Sequence, residues 1–325
     1  MIQVGIVGYG NLGRGVEYAI QKTEDLELVG VFSRRAPETV ETVYAETNVY
    51  ALNTILDFKE KIDVLVLCGG SKDDLPQQTP ELAEHFAVVD SFDTHANIPD
   101  HFAKVDEAAQ KGKQVAIIST GWDPGLFSLN RIMMEAIIPD GKTDTFWGKG
   151  LSQGHSDAVR RVDGVKGGVQ YTIPSEVAME KARSGSKEEL ETKEKHVREC
   201  YVVLEEGADA KEVEQAIVTM PNYFEPYDTT VHFITEEELA RDHQAMPHGG
   251  FVIRSGQTGE GTNQTMEFSL KLDSNPEFTS SVLVAYARAA ARLAKEGVVG
   301  AQTPFDIAPK YIHPKTNEQL RKQYL

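Results

Sequence analysis

The opening of the chain limits the fold most. An apolar run, Ile2 to Val7, leads into Gly8-Tyr9-Gly10-Asn11-Leu12-Gly13, and a second run, Leu26 to Phe32, ends in Ser33-Arg34-Arg35. A G-x-G-x-x-G turn between a strand and a helix, with another strand after it, is the fingerprint of a dinucleotide-binding unit. Gly8 permits the tight turn, Gly10 leaves room for a pyrophosphate, and Gly13 lets the helix pack close to its strand. The helix start, from about Asn11, offers N–H groups and a positive dipole end to phosphates. The tip of the second strand normally carries an acid for the ribose 2′-hydroxyl. Here a hydroxyl and two cations, Ser33, Arg34 and Arg35, stand in its place, which suits a 2′-phosphate. The expected cofactor is therefore NADP. A tight strand-to-helix turn with no ligand, and a simply solvated Arg34 or Arg35, are the plainer alternatives.

Apolar runs at 2–7, 26–32, 64–68, 87–90 and 115–119 look like strands buried on both faces. Amphipathic stretches such as 12–23 and 98–111 alternate with them, and this pattern predicts a Rossmann-type, doubly wound parallel sheet, an α/β fold. Ligand contacts in such folds gather at the carboxyl ends of strands. Four segments qualify: the glycine turn, Gly69-Gly70-Ser71, Asp90 to Asp93, and Ser119 to Asp123. Cys68 closes its apolar run and reads as a small buried hydrophobe at the same strand end.

From about Asp123 the texture changes to Val-, Thr- and Tyr-rich stretches at 145–150, 168–173, 198–204, 231–234, 251–255 and 264–272. These predict a second, α+β domain with a mostly antiparallel sheet. The strongly charged stretch 184–195 reads as a solvated helix, and Phe278 to Lys295 as a long Ala- and Leu-rich helix stopped at Glu296-Gly297. The expected division is residues 1–121 for the dinucleotide, 122–275 for substrate and dimerisation, and 276–325 as a helix and tail returning to the first domain.

With 325 residues, two domains are the natural arrangement. A net charge of −17 argues against a nucleic-acid partner and against an acidic membrane surface. Cys68 and Cys200 make no disulfide framework, and no metal-ligand spacing occurs, so no metal is expected. Met1-Ile2-Gln3 enters the first strand with no leader pattern before it, which predicts a cytoplasmic protein.

The polar residues at the predicted strand ends suit a small zwitterion. Asp90 and Asp123 would hold an ammonium group by charge-assisted hydrogen bonds, with Trp122 walling one face. Ser152-Gln153-Gly154-His155-Ser156 opens a helix whose free N–H groups would take a carboxylate. Thr172, Arg198 and His248 are candidates for a second anionic group. Plainer readings stay open for each. Asp90 is equally a cap, Asp123 before Pro124 is equally turn chemistry, and Trp122 and Trp147 are commonly core. Arg198 sits in a charged run, His248 in an exposed loop, and Arg160 and Arg161 after Asp157 suit a surface ion pair.

These segments, from Gly8-Tyr9-Gly10-Asn11-Leu12-Gly13-Arg14-Gly15 and Phe32-Ser33-Arg34-Arg35 onward, carry a resemblance. Leu67-Cys68-Gly69-Gly70-Ser71, Val89-Asp90-Ser91-Phe92-Asp93, Ser119-Thr120-Gly121-Trp122-Asp123-Pro124-Gly125, Phe146-Trp147-Gly148, Leu151 to Ala158, Lys271 to Pro276, Gly300-Ala301 and Thr303 to Ile307 extend it over the whole chain. The chain resembles the meso-diaminopimelate dehydrogenases. The resemblance implies NADP-dependent, reversible oxidative deamination at the D-centre of meso-2,6-diaminopimelate, giving L-2-amino-6-oxopimelate, ammonia and NADPH, by a homodimer. It places Asp90, Trp122 and Asp123 around the reacting amine, Gln153 and Gly154 on the nearby carboxylate, and Trp147 along the pocket. Thr172, Arg198, His248 and Asn275 would bind the distal L-amino-acid end. Which of Asp90 and Asp123 is the general base stays open. Another two-domain NADPH-dependent reductase, resembling dihydrodipicolinate reductase or homoserine dehydrogenase, or a non-catalytic NADP(H) sensor, are the rival readings.

Overall fold

The computed structural model describes residues 1–221 and 223–325. The chain divides into two compact units, one of Met1–Leu129 with Pro276–Leu325, the other of Asn130–Asn275. The division falls inside the helix Leu126–Ile137, a few residues after the change of texture at Asp123.

The first unit is a seven-stranded, wholly parallel sheet. Its strands are β1 (Ile2–Val7), β2 (Leu26–Ser33), β3 (Val49–Ala51), β4 (Val64–Leu67), β5 (Val88–Asp90), β6 (Val115–Ile117) and the late strand Gly300–Gln302. Their order is Gly300–Gln302, β6, β5, β4, β1, β2, β3, so the sequence of strands reverses at β1. The apolar runs form central strands because both faces are covered. In β4, Val64 and Val66 point into one core, with the long helix Asn275–Lys295, while Leu65 and Leu67 point into the other. That opposition is the two-residue period of a strand. The second core takes its other wall from α2 (Leu75–Ala83) and α3 (Ile98–Gly112), once α1 (Asn11–Gln21) has returned the chain to β2 on the first face.

The tail is tied into this unit. Arg288 of the long helix forks onto Asp25, at 2.6 and 2.7 Å, and donates to the Ile312 carbonyl at 2.9 Å. The Arg288 guanidinium holds the Asp25 carboxyl below the usual range. Ser280 donates to the Leu12 carbonyl at 2.8 Å, and a Cβ on Gly15 would sit 2.4 Å from the Ser280 Oγ, so only glycine allows α1 this approach. The long helix stops at Gly297, whose φ of +77° suits a left-handed cap.

The second unit holds two sheets where one was expected. β7 (Asp140–Trp147), β8 (Gly150–Leu151), β9 (Val165–Pro174), β10 (His196–Leu204), β11 (Thr229–Phe233), β12 (His248–Gly259) and β13 (Thr262–Leu272) divide between them. One sheet runs β11-β10-β9-β8, with β11 parallel to β10 and the other pairings antiparallel; the other runs β13-β12-β7, all antiparallel. Each has its own cover. The helix α4 is Leu126–Ile137, and α5 (Gln153–Arg160) lays Ala158 and Val159 on Val165, Cys200 and Val202 of the four-stranded sheet. The helix Glu176–Arg183 lays Ala178, Met179 and Ala182 on Phe146 and Ile253 of the three-stranded one.

The charged stretch 184–195 is not the helix its composition suggested. Only Thr192–Lys195 is helical. Gly185 takes φ +78° and ends the preceding helix, and no apolar stripe follows to bury a new one. Among the described residues no helix is long and apolar enough to cross a membrane, and no group of three or more His, Cys, Asp or Glu is placed to hold a metal ion.

Candidate active site

The glycine turn has the geometry that a pyrophosphate needs. Gly8 takes φ +87°. A Cβ on Gly13 would lie 2.4 Å from the Gly8 carbonyl oxygen, so a side chain there would push α1 off the turn. At Gly10 a Cβ would meet nothing within 4 Å; the glycine serves open space. Gly10 is also the N-cap of α1, no side chain caps it, and no acid lies in the first turn, so the positive end of the helix dipole faces the turn. A cavity of about 350 Å³ opens here, lined among others by Gly8, Gly10, Ser33, Arg34, Arg35, Cys68 and Gly69. The residues present thus fit a dinucleotide with a 2′-phosphate.

The side chains around this cavity differ in what they offer. Tyr9 turns its hydroxyl inward onto buried Glu17, and Glu17 also takes the Thr47 hydroxyl and the Val43 N–H. Burial and Glu17 push the Tyr9 phenol far up. Tyr9 therefore enters the cofactor site through its backbone, and its carbonyl accepts from the Arg35 guanidinium at 2.6 Å. Arg34 pairs with Asp74 at 2.7 Å and is mostly exposed. Asp74 also accepts the Gly70 N–H at 2.8 Å, fixing the loop after β4. Ser71 accepts the Asp93 N–H at 2.8 Å and so links the β4 and β5 ends. Burial raises the Cys68 thiol well above its ordinary value, which makes it an inert apolar filler.

Asp90 departs from the expectation of an acid open to an amine. It is fully buried, and its carboxylate accepts from Thr79 Oγ1 at 2.8 Å, Phe92 N–H at 3.0 Å and Ser119 N–H at 2.8 Å. Its fourth partner is the His101 Nε2 at 2.8 Å, whose ring stacks on Phe92. The Asp90 carbonyl takes both the N–H and the hydroxyl of Thr120, at 3.0 and 2.7 Å. With four donors converging on it, the carboxylate has no lone pair to spare for a ligand. It instead pins the segment after β6, where Ser119 adopts a left-handed φ of +56° and the chain turns through a cis Asp123–Pro124 bond. Trp122 is buried edge-on against Phe127, and Asp123 is half-buried.

In the second unit a buried cation stands on the face of the four-stranded sheet under α5. Arg198 on β10 lies directly opposite Thr172 on β9, and its guanidinium donates to the Thr172 hydroxyl. The Tyr227 ring lies 3.9 Å from the Arg198 guanidinium carbon. Arg198 is only 6% exposed, its Nε has no hydrogen-bond partner, and no carboxylate pairs with it among the described residues. Burial lowers its pKa. Burial first and the Arg198 charge second push His155 down to about 4, and burial, Arg198 and Lys195 do the same to His196. Arg198 thus stands without a carboxylate beside two imidazoles that burial and nearby cations keep from taking up a proton, an arrangement that calls for an anion.

Other expected residues surround that face. Ser152 caps α5 through the His155 N–H, so Gln153 and Gly154 occupy its first turn; the Gln153 amide reaches Met246 Sδ at 3.4 Å. Trp147 donates its backbone N–H to His196 Nε2 at 2.9 Å, and the two rings stack at 5.6 Å. His248 packs on Gly150, where a Cβ would lie 2.5 Å from its ring, and burial lowers its pKa. It is therefore not the exposed loop histidine of the plainer reading. Asn275 donates its N–H to the Met246 carbonyl at 2.9 Å. Arg160 does form the surface pair with Asp157. Tyr227, His196, His101 and Thr79 were not singled out from the sequence. Each matters through a neighbour distant in the chain, and only the His155 turn carried a local signal.

The chain is similar to proteins of known activity. Residues 121–274 match the family model described as diaminopimelic acid dehydrogenase C-terminal domain. The meso-diaminopimelate D-dehydrogenase of Lysinibacillus sphaericus is 61% identical over 100% of this chain and 99% of its own. Among solved structures, the Corynebacterium glutamicum DAP dehydrogenase in complex with DAP is 47% identical, with a TM-score of 0.89 over 100% of this chain and 99% of that one. A Clostridium tetani enzyme with six substitutions, crystallised with DAP, is 54% identical, with a TM-score of 0.93 over 100% of both chains. An engineered D-amino acid dehydrogenase bound to NADP+ is 45% identical, with a TM-score of 0.84 over 100% of this chain and 99% of that one. With identities of this size over the full length, the chain belongs to the meso-diaminopimelate D-dehydrogenase family.

Proposed function

We infer that the protein is an NADP-dependent meso-2,6-diaminopimelate D-dehydrogenase, oxidising the D-centre to L-2-amino-6-oxopimelate with release of ammonia. The observation that carries the substrate class is Arg198, a buried guanidinium with an idle Nε and no carboxylate of its own. A buried unpaired cation is costly, so its place in the fold is best explained by an anion that arrives with the ligand. The six substituted residues of the C. tetani enzyme are a glutamine, a threonine, an arginine, a proline, a histidine and an asparagine, each numbered one higher than Gln153, Thr172, Arg198, Pro247, His248 and Asn275 of this chain. That correspondence supports a substrate role for all six.

NADP, when bound, supplies the two-electron acceptor. Trp122 and Asp123 act at the reacting amine. Asp123 takes up the proton lost as the C–N bond gains double-bond character, and orients the water that then attacks carbon. Asp90 is given a positioning role: it fixes the segment that carries Trp122 and Asp123. The first turn of α5, with Gln153 and Gly154, binds the carboxylate beside the reacting carbon, and Trp147 lines the pocket. Arg198, Thr172, His248 and Asn275 hold the distal end.

We also read the protein as a cytoplasmic homodimer. Ile132, Met133 and Ile137 on α4 are 43%, 58% and 55% exposed, and such an apolar stripe favours a covered surface. Light scattering after gel filtration tests this: a monomer at micromolar concentration refutes it. The substrate reading is tested by NADPH formation with purified meso-diaminopimelate; no turnover despite NADPH binding refutes it.

A further inference from the structure

A second idle atom lies beside Arg198. Gln170 on β9 is fully buried, and its side-chain Oε1 has no hydrogen-bond partner. Its Nε2 leans on the Thr172 hydroxyl at 3.4 Å, the same hydroxyl to which Arg198 donates. The register explains the proximity. Arg198 lies opposite Thr172 and Cys200 lies opposite Gln170, so these four side chains share the sheet face under α5. Gln170 is held there by its backbone, which donates to Ser156 Oγ at 2.9 Å and accepts the Ser152 N–H at 3.1 Å, both from the start of α5.

One Thr hydroxyl is thus flanked by a buried donor with no acceptor and a buried acceptor with no donor. Each is unfavourable by itself, since a buried polar atom left unpaired loses its hydration with nothing in return. Together they match the end of an α-amino acid, where carboxylate and ammonium branch from one carbon. We propose that Gln170 is a specificity-determining residue, whose Oε1 accepts the distal L-ammonium of the substrate while Arg198 Nε donates to the distal carboxylate. This rests on the substrate reading above and extends it to a residue outside the sequence motifs. The choice of an amide has a physical reason. A Glu or Asp at this position would pair with Arg198 and take the cation from the substrate carboxylate, whereas a neutral carbonyl serves the ammonium and leaves Arg198 unpaired. Thr172, already accepting from both neighbours, keeps its own hydrogen for the carboxylate.

The test compares two substrates on three proteins. Wild type, Gln170→Leu and Gln170→Met are assayed with meso-diaminopimelate and with D-2-aminopimelate, which has hydrogen in place of the distal amino group. The second compound is read as a substrate or, if it is not turned over, as a competitive inhibitor. Loss of one hydrogen bond to a charged group predicts a KM for meso-diaminopimelate raised about 10- to 150-fold, with kcat within about twofold because the reacting end is untouched. The KM or Ki for D-2-aminopimelate stays at its wild-type value. Equal loss with both compounds makes Gln170 a structural residue and overturns the proposal, as does an unchanged KM for meso-diaminopimelate. Met gives a flexible filler of similar length should Leu fail to fold. A wild-type protein that oxidises neither compound refutes the substrate reading itself, and this assignment falls with it.

Discussion

Replacing Arg198 by Met separates a ligand-binding cation from a structural one. In the structure Arg198 is 6% exposed, donates to Thr172, faces the Tyr227 ring and has an idle Nε. Its loss removes a cation–π contact of about 0.5–2 kcal/mol and one hydrogen bond of about 1 kcal/mol. It also removes the desolvation of a buried charge with no partner, a penalty of several kcal/mol. The opposed effects leave the free protein's stability unchanged or raised. Substrate binding loses a charge-assisted contact of about 1.5–3 kcal/mol, which is about a 10- to 150-fold rise in KM for meso-diaminopimelate. A charge reporter checks the same variant. His155 and His196, at about 4, lie below the ordinary value near 6.5, because of burial first and Arg198 second. Groups depressed in this way add stability above the unfolded pKa and lose it as pH falls from about 6.5 towards about 4. Without Arg198 both pKa values rise and the acid loss shrinks. Thermal melts from pH 7 to pH 4, steady-state kinetics and imidazole NMR are the assays. A melting temperature several degrees lower with KM unchanged would make Arg198 a strut and refute the reasoning.

Two glycines of the same turn should fail differently. Gly10→Ala, at φ −102° with open space around the new methyl, should melt like wild type and bind NADPH at least about tenfold more weakly. Gly13→Ala, driven to 2.4 Å from a carbonyl, should lower stability by about 1–3 kcal/mol, read by urea unfolding. Arg34→Ala should weaken NADPH about tenfold while leaving NADH nearly unchanged, in fluorescence titrations. Asp90→Ala, which strands four donors, should destabilise by about 3–5 kcal/mol, whereas Asp123→Asn should fold normally and lose at least about a hundredfold in kcat. Equal thermal loss in the last two variants would contradict the division of labour between these acids.

The sequence made the nucleotide-binding half legible because local rules govern it. Glycine spacing, two-faced apolar runs and a cationic strand tip all point the same way within 35 residues. β3 and α2 gave weaker signals: β3 is a three-residue edge strand, and α2 contains Pro76 and Pro80. The pairing of seven later strands into two sheets depends on long-range partners such as Trp147 opposite Gly250, which no local period encodes. Asp90 shows the limit most clearly. An acid at a strand end reads as cap or as ligand contact alike, and the deciding partners, Thr79, His101 and Ser119, come from three other elements or their ends. Gln170 and Tyr227 are invisible for the same reason, since strand register brings Gln170 beside Arg198 and the turn before β11 brings Tyr227.

The most direct test is NADPH formation at alkaline pH with separated meso-, LL- and DD-diaminopimelate, each with NADP and with NAD. The account predicts fast turnover of the meso isomer with NADP, little with NAD, and none with the LL isomer, which has no D-centre. Turnover of LL-diaminopimelate comparable to meso, or no turnover of any isomer by protein that binds NADPH tightly, would contradict it.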